Sequence, residues 1–412
     1  VAVLGQDLGY GDTLVVQVAL VFFQIGYQTF MSGKWHLGKD RENWPDKNGF
    51  DQFYGTPAGG GIYFYPSLFY KREVFWNGKR MEPDSTWYST DAFTDYAINY
   101  IVNDREKDKP FFMYLPYIAP HFPLQAKKED LVKYKETYTL GYDAIRDRRI
   151  EKQRELGLVT IHVKASQPTF PPWHLVPNKE EEALKMAVYA AMVDCMDQNI
   201  GRLLHVLEEE GLKDNTVIFF LSDNGAANTS FNKTPQAEIG TRYSNASYGA
   251  WHNVSNTPYQ KYKATEHEGG IITPMIVYGL DHFQGKTVRN PAHITDFMPT
   301  CLELASVEYP QSYNSLSLDP LDGKSLLPLI DGTESHEKRY FFWEHQGNKA
   351  VRQGDWKLVA LHNKEWELYH ITSDPYELND LSKERPGIVM EFKGKYDQWT
   401  KKHGVQPWPL KE

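Results

Sequence analysis

Over roughly its first 330 residues the chain alternates short apolar runs with helix-patterned stretches, and this alternation restricts the fold more than any other feature. Strands that recur between helices pair in parallel through right-handed crossovers. The expected fold is therefore α/β, a mostly parallel central sheet flanked by helices. The runs at 1–4, 28–32, 111–117, 217–221 and 275–278 read as strands. Thr90 reads as the N-cap of a helix with Phe93, Tyr96, Ala97, Tyr100 and Ile101 on one face. A longer helix begins near Glu180, carries Ile200, Leu203, Leu204 and Leu207 on one stripe, and ends at Gly211. Residues 122–178 and 226–262 are polar and rich in Pro, Asn or Ser, and read as excursions over the rim of the sheet. After about residue 335 come four short strand candidates separated by Gly, Asn and Asp turns, then a helix near 386–403. The expected division is thus a catalytic α/β domain at 1–335 and a small C-terminal antiparallel sheet plus helix at 336–412.

Charge narrows the partners. With 45 Lys and Arg against 54 Asp and Glu, the chain carries a formal net charge of −9 and no long basic run. Nucleic acid is excluded as a partner on that balance, and an anionic ligand requires a locally positive pocket. Cys195 and Cys301 lie far apart in apolar, helix-like surroundings and read as buried thiols, with a disulfide as the lesser alternative. The most apolar window, 14–25, is too short for a membrane span and contains Gln17 and Gln24. The chain opens without Met in Val1-Ala2-Val3-Leu4, as a trimmed sequence would, so the N-terminus assigns no compartment.

Chemistry concentrates at the expected strand ends. Gly33-Lys34-Trp35-His36-Leu37-Gly38 follows one strand. In an extended segment Lys34 and His36 point the same way and set a fixed cation beside a titratable imidazole. Asp7 and Asp223-Asn224-Gly225 follow two others. Carboxylate and amide oxygens there suit Ca²⁺ or Mg²⁺, although Asp-Asn-Gly alone also reads as a turn. His121 lies between Pro120 and Pro123, which stiffen its loop, and Lys263 precedes Glu266-His267-Glu268-Gly269-Gly270-Ile271, a turn into a further strand. Acidic metal ligands, two lysines and two histidines around one crevice suit a tetrahedral oxyanion ester, with histidines as acid and base.

These segments, in this order, resemble the sulfatase family of the alkaline-phosphatase superfamily. The matching stretches are 7–12, 26–38, 119–121, 221–225 and 263–270, and 351–358 with 366–369 is similar to a sulfatase C-terminal subdomain. The resemblance implies that Asp7, Asp223 and Asn224 ligate a Ca²⁺ (or Mg²⁺) that also holds the sulfate. It implies that Lys34 and Lys263 neutralise sulfate oxygens, that His121 binds sulfate and protonates the leaving alcohol, and that His36 is the base beside the nucleophile. The family's nucleophile is a formylglycine made from Cys or Ser in a Cys/Ser-x-Pro-x-Arg segment. The implied setting is secreted, periplasmic or lysosomal.

Two departures stand out. Gln6 occupies the place of a second acidic ligand, which keeps an oxygen donor but removes one negative charge. No Cys/Ser-x-Pro-x-Arg segment occurs in the 412 residues, and the place where the family carries it, after Asp12, is several dozen residues short. The chain between Thr13 and Ile25 also leaves almost no polar face, where a helix covering a sheet keeps one. Three readings follow: hydrolysis of an aryl or carbohydrate sulfate with a nucleophile outside these residues; a catalytically inactive protein that binds sulfated glycans; and a phosphodiesterase or phosphonate hydrolase of the same superfamily. Ligands for a single metal weigh against the third. Four stretches, beginning at Asn228, Asn232, Asn245 and Asn253, match the glycosylation acceptor pattern. Trp87, Trp173, His174, Trp251 and His252 fall in or near the rim loops, where they stack on sugars or pack the loops.

Overall fold

The computed structural model describes residues 2–6, 11–38, 40–159, 164–279, 285–313, 316–333 and 338–409, with side chains from Val18 onward except at 313, 316 and 317. Eight strands form the central sheet: β1 (Ala2–Gln6), β2 (Gln28–Lys34), β3 (Gln52–Thr56), β4 (Val74–Trp76), β5 (Lys79–Met81), β6 (Phe111–Tyr117), β7 (Ile218–Leu221) and β8 (Met275–Tyr278). Their order is β5-β4-β3-β2-β6-β1-β7-β8. The five inner strands β3, β2, β6, β1 and β7 pair in parallel, and β4, β5 and β8 add antiparallel edges. This is the mixed α/β architecture that the alternation of strands and helices requires.

Helices cover both faces. They are α1 (Gly11–Gln24), α2 (Ser89–Asn99), α3 (Lys128–Leu131), α4 (Gly141–Glu155), α5 (Lys179–Glu209), α6 (Trp251–Asn256), α7 (Glu268–Ile271), α8 (Phe297–Leu304), α9 (Leu327–Asp331) and α10 (Pro386–His403). Along β6 the side chains alternate between two cores, as pleating demands. Met113 and Leu115 join Phe93 of α2 with Met192 and Leu203 of α5; Phe112 and Tyr114 join Val18 and Phe22 of α1 with Met298 and Leu302 of α8. All seven residues of β6 are buried, the mark of a central strand covered on both faces. The odd composition of α1 is accommodated by burying Val18, Ala19 and Phe22 while Phe23 stays half exposed.

The remaining strands are short. β9 (Ser312–Tyr313) pairs antiparallel with β10 (Leu316–Ser317), and β11 (Tyr340–His345), β12 (Asn348–Gln353), β13 (Trp356–Ala360) and β14 (Glu367–His370) form an antiparallel sheet in chain order. Phe392 and Tyr396 of α10 pack on its Val351, Leu358 and Leu368.

One local expectation changes, and two features add detail. Thr90 is not an N-cap: α2 starts at Ser89, with Tyr88 at the cap two residues earlier, and Thr90 lies inside the first turn. Residues 268–271 form the helical turn α7 before β8, because the carbonyls of His267 and Glu268 accept from the backbone N–H of Ile271 and Ile272. The strands β3, β4 and β5 also join the sheet, β4 and β5 as a hairpin across Asn77-Gly78, both at positive φ. The pairing of β2 with β3 is a close backbone approach through Gly33 and Gly55, where a Cβ on Gly55 would stand less than 2 Å from Gly33 O.

Candidate active site

The parallel strands β2, β6, β1 and β7 end on the same edge of the sheet, so their following loops share one crevice. Lys34 is the last residue of β2 and is buried at 3% exposure. Trp35, also buried, anchors the turn that follows, donating through Nε1 to Asn43 O at 2.7 Å. His36 then sits at φ +74° and is exposed. Lys34 and His36 therefore do not alternate along an extended strand as expected. The chain leaves β2 at Lys34 and bends along β3, with Trp35 and His36 N–H groups donating to Thr56 O and Pro57 O at 2.9 and 3.1 Å.

The two side chains are nonetheless brought together by Gly59-Gly60-Gly61, a run that carried no functional signal in the sequence. A Cβ on Gly60 would stand 3.7 Å from Lys34 Nζ and 3.8 Å from His121 Nδ1, so both nitrogens border one space of about methyl size. A Cβ on Gly59 would meet His36 Nε2 at 2.8 Å. Only residues without side chains leave this space open. Its only mark in the sequence is three consecutive glycines, a pattern that fits close backbone approach but names no chemistry.

His121 follows β6 between two cis prolyl bonds, Ala119-Pro120 and Phe122-Pro123. Its backbone is held on both sides: its N–H donates to Ile118 O at 3.0 Å, and its carbonyl accepts from Tyr63 Oη at 2.6 Å. Nδ1 lies 2.7 Å from Phe122 O. A carbonyl only accepts, so the proton of the neutral ring resides on Nδ1, and Nε2 is the nitrogen that gains or gives up a proton.

On the other side, Gly5 of β1 is level with Leu221 of β7, so Gln6 and Asp223-Asn224 leave adjacent strands together. Asn224 Nδ2 donates to Gly225 O at 2.9 Å, and its Oδ1 accepts no hydrogen bond among the described residues. Burial raises the Tyr189 hydroxyl to about 12, and the nearby Asp223 charge pushes the same way. Lys263 packs on this loop through its backbone, N–H to Ala226 O at 3.0 Å, and its ammonium meets no carboxylate among the described residues. Asp7 and the Gln6 side chain lie outside what is described. Among the described residues no three His, Cys, Asp or Glu gather as a metal cage. The carboxylate and amide oxygens of Asp223 and Asn224, one amide oxygen left over among the described residues, are of a chemistry that fits a hard cation. From Lys34 to Asp223 the crevice crosses three strand spacings, about 15 Å.

The segment after Lys263 is tied to the C-terminal sheet. Lys357 of β13 is fully buried, 2.7 Å from Glu268 and 2.9 Å from Glu377, and His267 Nε2 lies 2.8 Å from Glu367. None of these partners was picked out from the sequence, because burial of a charge is not visible there.

The other sequence candidates resolve by burial. Cys195 and Cys301 are buried free thiols whose pKa burial pushes up to about 12. Trp251 is in the core, and Trp87 donates to Tyr54 Oη at 3.0 Å, so both pack. Asn245 and Asn253 are buried, which closes those two acceptor stretches in the folded chain; Asn228 is exposed. No helix among the described residues is long and apolar enough to cross a membrane. No Cys/Ser-x-Pro-x-Arg stretch is present, and Asp12 and Thr13 are consecutive within α1.

Residues 15–307 match the family Sulfatase, and residues 261–401 match the C-terminal region of N-sulphoglucosamine sulphohydrolase. The chain belongs to the sulfatase family. It is 31% identical to an uncharacterized sulfatase of Schizosaccharomyces pombe over 93% of this chain and 76% of that protein. It is 32% identical to an arylsulfatase of Klebsiella aerogenes over 78% of this chain and 74% of that one. The alignment with the yeast protein is 426 residues long yet takes in 93% of this 412-residue sulfatase, so the relative carries residues that have no counterpart here. Among solved structures it is similar to Ps i-CgsB in complex with k-i-k-neocarrahexaose, with a TM-score of 0.69 and 25% identity over 93% of this chain and 73% of that one. The complex of a protein with its substrate D-glucosamine-2-N,6-O-disulfate shares the fold at a TM-score of 0.57 and 22% identity, over 96% and 83% of the two chains.

Proposed function

We propose that this protein hydrolyses sulfate esters of aryl or carbohydrate alcohols at the crevice beyond β2, β6, β1 and β7. The observation that carries the reading is the convergence of Lys34 Nζ and His121 Nδ1 on Gly60, a charged donor and an imidazole around a space free of side chains. Lys34, buried, binds a sulfate oxygen with little loss to water, and Lys263 binds from the far side. His121, its Nδ1 proton fixed on Phe122 O, turns Nε2 to the ester oxygen and protonates the departing alcohol. His36, exposed beside Gly59, is the base that serves the nucleophile. Gln6, Asp7, Asp223 and Asn224 would hold a Ca²⁺ or Mg²⁺, whose charge would offset that of the sulfate. A formylglycine would supply the attacking oxygen, and no residue of this sequence stands in the context that forms one.

Release of sulfate from 4-nitrophenyl sulfate tests the reading. Lys34→Ala and His121→Ala are each expected to lower kcat/KM by about 100-fold or more. No sulfate release from the parent chain overturns it. The absent Cys/Ser-x-Pro-x-Arg stretch favours a second reading, a protein that binds sulfated glycans without turnover. Peptide mapping separates the two. An aldehyde-bearing peptide inserted after Asp12 supports the enzyme, and an uninterrupted Asp12-Thr13 peptide supports the binder.

A further inference from the structure

The glycine run that opens the site is also the inner wall of a cationic, aromatic rim. Arg72 Nε donates to Gly60 O at 3.0 Å, and its guanidinium carbon lies 5.9 Å from the Tyr70 ring centre. Since Gly60 also borders Lys34 Nζ, the guanidinium sits within about 10 Å of the lysine. The Tyr70 ring packs on Gly61, and its hydroxyl lies 3.4 Å from Asn245 Oδ1, which carries the contact across to the opposite loop. There the Lys233 N–H donates to Asn245 O at 2.9 Å, and the Lys233 ammonium lies 5.1 Å from the Phe231 ring centre. Phe231 meets Phe122 edge-on at 5.2 Å, and Phe122 lies 4.1 Å from the His121 ring. Arg242 joins the two loops, donating to Tyr65 O at 2.8 Å.

Arg72, Lys233 and Arg242 make no ion pair among the described residues. Two nearby carboxylates are already taken, Glu73 by Arg80 at 3.0 Å and Glu181 by Lys185 at 3.1 Å, which leaves Glu238 of the same loop against three cations. Three unmatched cations around one mouth are unexpected in a chain of net charge −9. Such a patch concentrates anions locally, and a guanidinium held by its Nε keeps its outer N–H pair for an oxyanion fork.

We propose that this rim is a second anion site and that the substrate is a polyanionic carbohydrate, with further sulfate or carboxylate groups on sugars flanking the scissile ester. Arg72 is its specificity-determining residue, and Tyr70 and Phe231 offer apolar faces to the sugar rings. The proposal rests on the assignment of Lys34 and His121 to the scissile sulfate.

The test is equilibrium binding to the full chain of two probes, a heparin-derived hexasaccharide and 4-nitrophenyl sulfate. Arg72→Gln and Lys233→Gln are each expected to raise the hexasaccharide Kd about tenfold and flatten its dependence on salt. They are expected to leave 4-nitrophenyl sulfate within about twofold of the parent, a margin of under half a kcal/mol. Lys402→Gln, on the exposed surface of α10, is expected to match the parent with both probes. Rim variants that bind the hexasaccharide as the parent does overturn the proposal. So does an equal loss of both probes, which would reduce Arg72 to a prop for Gly60. Because the readout is binding, it is decided apart from turnover: absence of hydrolysis by the parent defeats the catalytic reading alone.

Discussion

One methyl group is enough to probe the site. Gly60→Ala adds a Cβ 3.7 Å from Lys34 Nζ and 3.8 Å from His121 Nδ1, in the space proposed for a sulfate oxygen, and 3.3 Å from Ile118 Cγ2, a side chain that can shift. The expected result is a KM for 4-nitrophenyl sulfate raised about tenfold or more, with Tm within about 2 °C of the parent. Unchanged KM with an ordinary Tm would place the sulfate elsewhere. His36 offers a complementary probe. It is exposed, so His36→Ala is expected to cost under about 1 kcal/mol of stability while lowering kcat far more than it raises KM. A Tm loss comparable to that of a core deletion would make His36 structural instead. At this scale Lys34, His36 and His121 stood out in the sequence because titratable side chains name the chemistry open to them, and the structure sets them beside Gly59 and Gly60. The gap was Gly59-Gly60-Gly61, which acts by lacking side chains, and the turn at His36, which no periodicity announces.

Among the elements, α7 and β13 hold the loop of Lys263 to the C-terminal sheet by charge. Lys357 compensates Glu268 and Glu377 in full burial. Replacing it with Met leaves two buried carboxylates facing one another, and the expected cost is about 3–5 kcal/mol in urea unfolding. The triple variant Lys357→Met, Glu268→Gln, Glu377→Gln is expected to regain much of that; no recovery would show that packing, not charge, is what was lost. Glu266, two residues from this cluster, is pushed up to about 7, by burial first, with Lys357 opposing and Glu344 adding to the shift. The native state therefore keeps a proton that the unfolded chain sheds near 4.5, so stability falls as pH rises from about 4.5 to about 7 and is flat above. Glu266→Gln is expected to stabilise the protein by up to about 3 kcal/mol at pH 8 and far less at pH 5. An equal effect at both values would contradict the assignment. Elements whose cue is local were legible: β6, β8, β13 and α10 fall where apolar runs and flanking Pro or Gly put them. The strand β3 was not, because Gly55 interrupts its pattern and its partner β2 is distant in sequence, whereas β4 and β5 form a local hairpin that its Asn77-Gly78 turn does mark.

For the whole molecule, the parallel core ends β2, β6, β1 and β7 on one edge, and the fold class followed from the alternation of strands with helices. What the sequence left open was how the two halves of the crevice are joined. Lys34 and His121 meet at Gly60, whereas Gln6, Asp223 and Asn224 leave β1 and β7, which pair directly. The divalent cation proposed for those strand ends would bind the folded chain and not the unfolded one, and so would stabilise by mass action, about 2.7 kcal/mol at a free concentration one hundred times Kd. Because β7 feeds Ile218 into one core and Phe219 and Leu221 into the other, that gain would register in global unfolding and not in a fraying loop. Adding CaCl2 to chelator-treated protein is expected to raise Tm by a few degrees, and EDTA to reverse it. Asn224→Ala removes one oxygen that meets no hydrogen-bond donor among the described residues and leaves the core untouched. Its Tm without metal is therefore expected to match the parent, while most of the CaCl2 shift disappears. A variant that keeps the full shift would put the cation away from β7. A variant that loses stability even without metal would make Asn224 a brace of the Asp223 turn, not a ligand.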